Sequence, residues 1–435
     1  MNWESISIEA IKSNSKNALV GGPFGSDLSG IHYVDFGIPV IRGINLPFDS
    51  TFNNSDFVFV SEEKANKLSA NTASPGDLIF TQRGTLGQVG IVPYGAFDKY
   101  IISQSQMKLT IDITKADPLF VYYYFRTKEC LKRIENLAFS SGVPHINLGI
   151  LRKFEIPYPP LLIQHKIASL LSAYDDLIEN NKQRIKLLEE MAEEIYKEWF
   201  VRLRFPGFET SAYFEGEGSG SSNFMQCSLP IGWEKVTIIE AFEILGGGTP
   251  STEIPEFWQE GKINWFSPTD ITGSKNIFLN KSGNQITALG LSNSSAKLFP
   301  AKSVMITSRA TIGAIGINMT EATTNQGFIT CIPNLNFSYP YIYEWVKSNI
   351  KLLDSYSTGA TFKEISKGVF KKLFILKPDV VIIKTFTEIV EPIFDEMNIL
   401  GQKSEILQQT RDLLLPRLVS GELSVNHIVD ENTTN

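Results

Sequence analysis

Two short segments of this 435-residue chain carry matching polar residues beside glycines: Gln82, Arg83 and Thr85 in TQRGTLG, and Ser308, Arg309 and Thr311 in TSRATIG. Arginine, glutamine, serine and threonine present the donors and acceptors that suit nucleic-acid base edges, and arginine also suits phosphate. Because both copies share the pattern, a second reading stays open, that of a common scaffold that touches phosphate or caps a turn. Residues that differ between the copies are better placed to carry selectivity. These are Gln104, Gln106, Ser140, Ser141 and His145 in the first half and Thr358, Thr361 and Lys363 in the second. Each has a plain alternative as a solvated loop residue, and His145 a further one in a core. The glycine loops GGPFGS (21–26) and GGGTPS (246–251) suit either backbone contact with phosphate or tight turns.

Machinery for bond-making chemistry is missing from the sequence. The four histidines (His32, His145, His165, His427) show no i, i+4 pair or HExxH context, and Cys130, Cys227 and Cys331 form no CxxC, so no metal site is expected. FEGEG at 214–218 has the FxGxG form of a methyltransferase cofactor loop, but no apolar strand precedes it and no helix pattern follows. The companion tetrapeptide, Asp or Asn followed by two prolines and an aromatic, is absent, with NLPF at 45–48 the nearest approach. No GxxxxGK[ST] phosphate loop occurs, and the acidic residues are scattered. The first sixteen residues lack a signal-peptide core and no apolar run reaches about 18 residues, so a reducing, cytoplasmic setting is expected. A formal charge of −7 opposes generic polyanion binding, so a nucleic-acid surface on this chain must be local or shared with a partner.

The elements that would position these residues come in two copies. GDLIFTQRGTLGQVGIV (76–92) aligns with KSVMITSRATIGAIGIN (302–318) at an offset of 226, pairing Arg83 with Arg309, Thr85 with Thr311, Gly87 with Gly313 and Gly90 with Gly316. In the same order, VIRGINL (40–46) matches WFSPTDI (265–271), SQSQ (103–106) matches NQG (325–327), YYYF (122–125) matches YIYEW (341–345), and SSGVPHINL (140–148) matches STGATFKEI (357–365). Small drifts in offset are what surface loops of unequal length produce. Short β-branched runs bounded by Gly, Pro, Asn and Ser mix with helical spacing in each copy, which predicts an α+β module of roughly 150 residues.

Each copy ends in a long helix announced by Pro159-Pro160 or Pro378-Asp379. Leu171, Tyr174, Ile178, Asn181, Ile185, Leu188, Ala192, Ile195 and Trp199 alternate spacings of three and four. Phe386, Val390, Ile393, Met397, Leu400, Ser404, Leu407, Arg411 and Leu414 do the same. Such stripes are coiled-coil seams, expected to face one another in antiparallel fashion, and the polar Asn181 and Ser404 interrupt them. The expected division is a first module at 1–158, a spacer helix at 159–203, a Gly/Ser-rich linker at 204–228, a second module at 229–377, a second spacer helix at 378–420 and a tail at 421–435.

PYPPLLIQHKIASLLSAYDDLIENNKQRIKLLEEM (157–191), LPIGWEKVTIIEAF (229–242) and LLLPRLVSGEL (413–423) resemble, in this order, conserved regions of the specificity subunits of type I restriction-modification systems. The resemblance implies two tandem target-recognition domains separated by two long antiparallel coiled-coil helices with pseudo-twofold symmetry, each domain reading one half of a bipartite, asymmetric double-stranded DNA site. It further implies that this chain is no enzyme and binds no cofactor. Two methyltransferase subunits would bring S-adenosylmethionine, restriction subunits would bring ATP and Mg, and no membrane is involved. Two other classes stay open, a self-sufficient DNA methyltransferase or nuclease, and a coiled-coil adaptor without DNA binding. At 1.5 Å per residue, about 40 helical residues span roughly 60 Å and would act as a ruler. Four residues added to one seam add about 6 Å, close to two base pairs. Half-site separation is then expected to change while half-site sequences stay fixed, as methylome sequencing would read; an unchanged spacer would count against the ruler.

Overall fold

The computed structural model describes residues 3–138, 145–210, 229–309, 311–358 and 363–425. The chain forms two compact units, residues 1–180 with 404–435 and residues 181–403. Both long helices are thus divided between the units.

In the first unit the apolar runs at 78–81 and 106–109 become central strands. Leu78–Thr81 and Gln106–Leu109 are buried along their whole length and pair antiparallel, with Thr81 opposite Gln106. Leu19–Gly21 and Val89–Ile91 complete a four-stranded sheet on either side. A five-stranded sheet follows the order Tyr33–Val34, Val58–Val60, Ile38–Ile41, Tyr100–Ile102, Thr72–Ala73. The helix Pro118–Phe125 closes one face of the first sheet: Asp117 caps it by accepting from the Leu119 and Phe120 amides, and Phe125 meets Phe80 with ring centroids 4.7 Å apart. The Gln-His pair of the 157–191 segment earns its place here. Gln164, fully buried, accepts from the Asp117 amide at 3.0 Å and donates to the Pro159 carbonyl at 2.8 Å, while His165 contacts the Asp117 carboxylate at 2.5 Å.

The second unit repeats this plan in its central strands and differs at the sheet edges. Its five-stranded sheet runs Ile244–Gly246, Phe328–Cys331, Val304–Thr307, Ile315–Asn318, Phe278–Leu279, and a three-stranded sheet runs Asn284–Ile286, Ile263–Phe266, Ala322–Thr324. Tyr339–Ser348 is the counterpart of the capped helix. Each unit also joins the start of its module to the end: Ser5–Ser7 pairs with Glu155–Pro157, and Glu234–Thr237 with Phe374–Lys377. Two α+β modules in tandem are what the internal similarity requires.

The long helices are Leu161–Tyr196, extended by a π turn at Lys197–Val201, and Val380–Val419. The wider turn lets the adjacent Trp199 and Phe200 both reach the core, since it shifts the helical phase by one residue. Seam positions Leu171, Ile178, Asn181, Ala192, Phe386, Val390, Met397 and Leu400 are buried, and Tyr174, Ile185, Leu188, Ile195, Ile393, Leu407 and Leu414 partly so. Inside the first unit Asp175 pairs with Arg411, and inside the second Arg184 pairs with Glu396 at 2.8 Å while Phe200 meets Phe386 at 4.9 Å. Rising numbers on one helix meet falling numbers on the other in the second unit, and in the first Ile163 and Ile167 share a cavity with Leu423 and Val425, so the segments run antiparallel within each unit.

Structure reaches further at both expected flexible stretches. Phe205 is buried with its ring 4.8 Å from Trp233, so the start of the expected 204–228 linker belongs to a core; residues 211–228 lie outside the described residues. Val425 is buried in the first unit's main cluster, and residues 426–435 lie outside the described residues. Among the described residues no helix is long and apolar enough to cross a membrane, and no group of three or more His, Cys, Asp or Glu could hold a metal ion. Cys130 and Cys331 are buried free thiols.

Candidate nucleic-acid interface

In the first module the turn between Leu78–Thr81 and Val89–Ile91 holds Arg83 and Thr85 out to solvent. Gly87 sits at φ +84°, a left-handed conformation that favours glycine, and a Cβ there would also displace the Leu131 side chain. Gln82, partly buried, is fixed by its backbone: its amide donates to Ser105 O at 2.7 Å and its carbonyl accepts from the Ile146 amide at 3.0 Å. His145 bridges to Arg83 through the backbone and is partly buried. These segments converge on a cleft of about 590 Å³ whose walls include Tyr33, Arg42, Thr81, Arg83, Thr85 and Gln104. Ser140 and Ser141 lie outside the described residues.

Two expected contacts are tied into the scaffold. Gln106 is 1% exposed, accepts from the Ser103 hydroxyl at the start of a central strand and forms part of the cleft lining. Gln104 is exposed, but its amide nitrogen donates to the carbonyls of Gly25 and Leu28 and so ties down the 22–28 loop. Sequence reading missed Tyr33 and Arg42. Arg42 donates to the Asp56 carbonyl, while its Nε is buried without a partner among the described residues. The repeat gave no signal for it, because the matching position in the second copy is Ser267.

The second module keeps the turn and changes the charges around it. Ser308 is 4% exposed, its amide donating to Gly327 O and its carbonyl accepting from the Ile365 amide; it is corrected from ligand contact to scaffold. Arg309 and Thr311 are exposed, with Gly313 at φ +87° matching Gly87. Arg309 Nε lies 2.9 Å from the Glu364 carboxylate, and Lys363 lies 2.9 Å from Asp354. Thr358 is exposed and trades backbone hydrogen bonds with Glu364 at 3.0 and 2.9 Å. Thr361 lies outside the described residues. Exposed pairs of this kind contribute about 0–1 kcal/mol, so a phosphate can displace the carboxylate at little cost. Arg83, by contrast, has no ion-pair partner among the described residues.

The paired glycine loops combine close approach in both copies with a tight turn in the first, where Gly25 at φ +40° opens a 3₁₀ turn. A Cβ on Gly22 would lie 1.9 Å from the Ser103 carbonyl oxygen, and one on Gly247 would lie 2.0 Å from that of Asn325. Neither glycine has a positive φ. In both modules backbone passes against backbone at these glycines, where no side chain fits.

Comparison with known proteins agrees with this architecture. Residues 43–190 and 230–408 match the type I restriction modification DNA specificity domain, and the chain belongs to that family. A similar relative is the MjaIX specificity subunit of a type I restriction enzyme from Methanocaldococcus jannaschii, 25% identical over 387 residues that cover 86% of this chain and 85% of that one. The HindI specificity subunit from Haemophilus influenzae is 24% identical, covering 75% and 82% respectively. Among solved structures, the S subunit of a type I restriction-modification system from M. genitalium superposes with a TM-score of 0.60 at 17% identity, covering 96% of each chain.

Proposed function

We infer that this chain is the DNA-reading subunit of a type I restriction-modification complex, its two modules reading the unlike halves of a bipartite site. The observation that carries the reading is the repeated arginine-bearing turn, built from one scaffold but surrounded by different side chains in the two copies, and bordering a cleft in the first. Chemistry is assigned to partners: methyltransferase subunits supplying S-adenosylmethionine, and restriction subunits supplying ATP and Mg. Partners enclosing the DNA would also supply phosphate contacts that a chain of net charge −7 lacks.

Since both copies share Arg83 and Arg309, their role is one that does not depend on sequence, which points to phosphate. Arg83→Ala and Arg309→Ala are each expected to weaken binding of the assembled complex to all duplexes alike and to lower the salt slope by about 1. The loss is larger at Arg83, which gives up no carboxylate partner to bind. Titration of a duplex library over a range of salt reads both quantities. If neither variant changes affinity, a DNA-free adaptor role gains; if the isolated chain methylates or cleaves DNA unaided, the enzyme reading gains.

A further inference from the structure

We propose that Phe24 is a specificity-determining residue of the first module, presented by its glutamine-tethered loop to contact a thymine methyl group in the groove of the DNA. The proposal rests on the DNA-reading function above. Phe24 is 87% exposed and Ile31, on the same stretch, is 88% exposed. Single exposed apolar side chains are ordinary on protein surfaces, so what distinguishes Phe24 is the rigidity of the loop that presents it. This loop is fixed. Leu28 is buried in a cluster with Val40, Val60 and Ile101, and Gly22 packs its backbone against Ser103. Gln104 donates to the carbonyls of Gly25 and Leu28, on either side of a short 3₁₀ turn at Gly25–Asp27 that Phe24 caps. Leu28, Ser29 and Gln104 also line the cleft that holds Arg42 and Arg83, so the loop that carries Phe24 borders the cationic site.

The second module supplies the comparison. Its loop leaves the equivalent strand at Gly246, and the position matching Phe24 is Thr249, which donates to Gln326 at 2.7 Å. Gln326 matches Gln104. In the second module the glutamine thus accepts from the side chain at this position, whereas Gln104 bonds only the loop backbone and leaves Phe24 without such a tie. A phenylalanine held out on a fixed loop is suited to an apolar base substituent. Gln104 is a positioning residue: both of its amide hydrogens go to loop carbonyls.

The test uses the full chain assembled with its methyltransferase subunits on its mapped DNA site, with uracil replacing each thymine in turn so that only the methyl group is removed. In the unaltered complex, one thymine in one half-site should be sensitive, with affinity falling about fourfold, the effect of burying a single methyl group. F24A should lose that sensitivity and leave the other half-site's profile unchanged; Phe24→Leu should restore part of it, with the thermal midpoint unaltered throughout. A uracil profile identical in F24A, or no sensitive thymine in the half-site read by the first module, overturns the proposal. Arg83→Ala separates the two levels: a drop in affinity there with an unchanged F24A profile sinks this inference alone, whereas no drop sinks the DNA-reading function beneath it.

Discussion

Asp175→Ala is expected to destabilise the unit formed by residues 1–180 and 404–435 by about 3–5 kcal/mol, the range for removing one partner of a buried ion pair. Arg411 occupies a seam position on an otherwise apolar helix stripe and is only 4% exposed. Its guanidinium pairs with Asp175, which also accepts from the Tyr123 hydroxyl at 2.7 Å. Burial and the neighbouring carboxylate hold the Tyr123 phenol far above its ordinary pKa, so it stays a donor at any working pH. Without Asp175 the guanidinium keeps only Asp412, an exposed carboxylate 2.8 Å away, and Tyr123 loses its acceptor. Urea denaturation would read the change as a lower midpoint at constant slope. Replacing both partners by leucine should recover much of the loss, because the cost lies in an unpaired buried charge more than in the absence of the pair. A midpoint for Asp175→Ala within about 0.5 kcal/mol of the parent would show that the pair is not buried in solution.

Glu344→Gln is expected to act in the opposite direction and only at high pH. Glu344 is fully buried in the helix Tyr339–Ser348, and neither carboxylate oxygen has a hydrogen-bond partner among the described residues. Burial pushes its pKa up to about 8; Lys347 pulls against that shift, while Glu193 and Glu189 add to it. The folded chain therefore holds this proton up to about pH 8, whereas the unfolded chain releases it near 4.5. The stability it contributes is complete below about pH 4.5, declines by about 1.4 kcal/mol per pH unit, and is gone above about pH 8. The whole effect is on the order of 5 kcal/mol, an upper figure. Glutamine, neutral at every pH, removes the decline: variant and parent should match near pH 4.5, and the variant should lead by several kcal/mol at pH 8.5. Parallel pH profiles for the two proteins would refute a carboxyl group titrating in this core.

Counted from the N-caps Asp117 and Ser338 of the two corresponding helices, Tyr123 and Glu344 are each the sixth residue, and the comparison shows what a repeat conceals. One copy uses a phenol to address a buried ion pair. The other buries a lone carboxyl beside Lys347, which itself reaches Glu189 and Glu193 at 2.8 and 2.9 Å. The sequence repeat matched the two helix segments and could not say that their surroundings differ, because the groups facing them come from helices far away along the chain.

Duplication, the two helix stripes and the lack of a catalytic motif were legible in the residues themselves, since each is a pattern of local period or spacing. The strands at 78–81 and 304–307, the glycine turns after them and the buried seam from Leu171 to Leu400 follow from it. Exposure and pairing were not legible. Gln106 and Ser308 have the right chemistry and are buried, Arg42 has no echo in the repeat and lines the cleft, and Arg309 faces Glu364 where Arg83 faces solvent. Residue type and period decide what a segment can form; which side chains then reach water, a carboxylate or a ligand depends on neighbours brought together only by the folded chain.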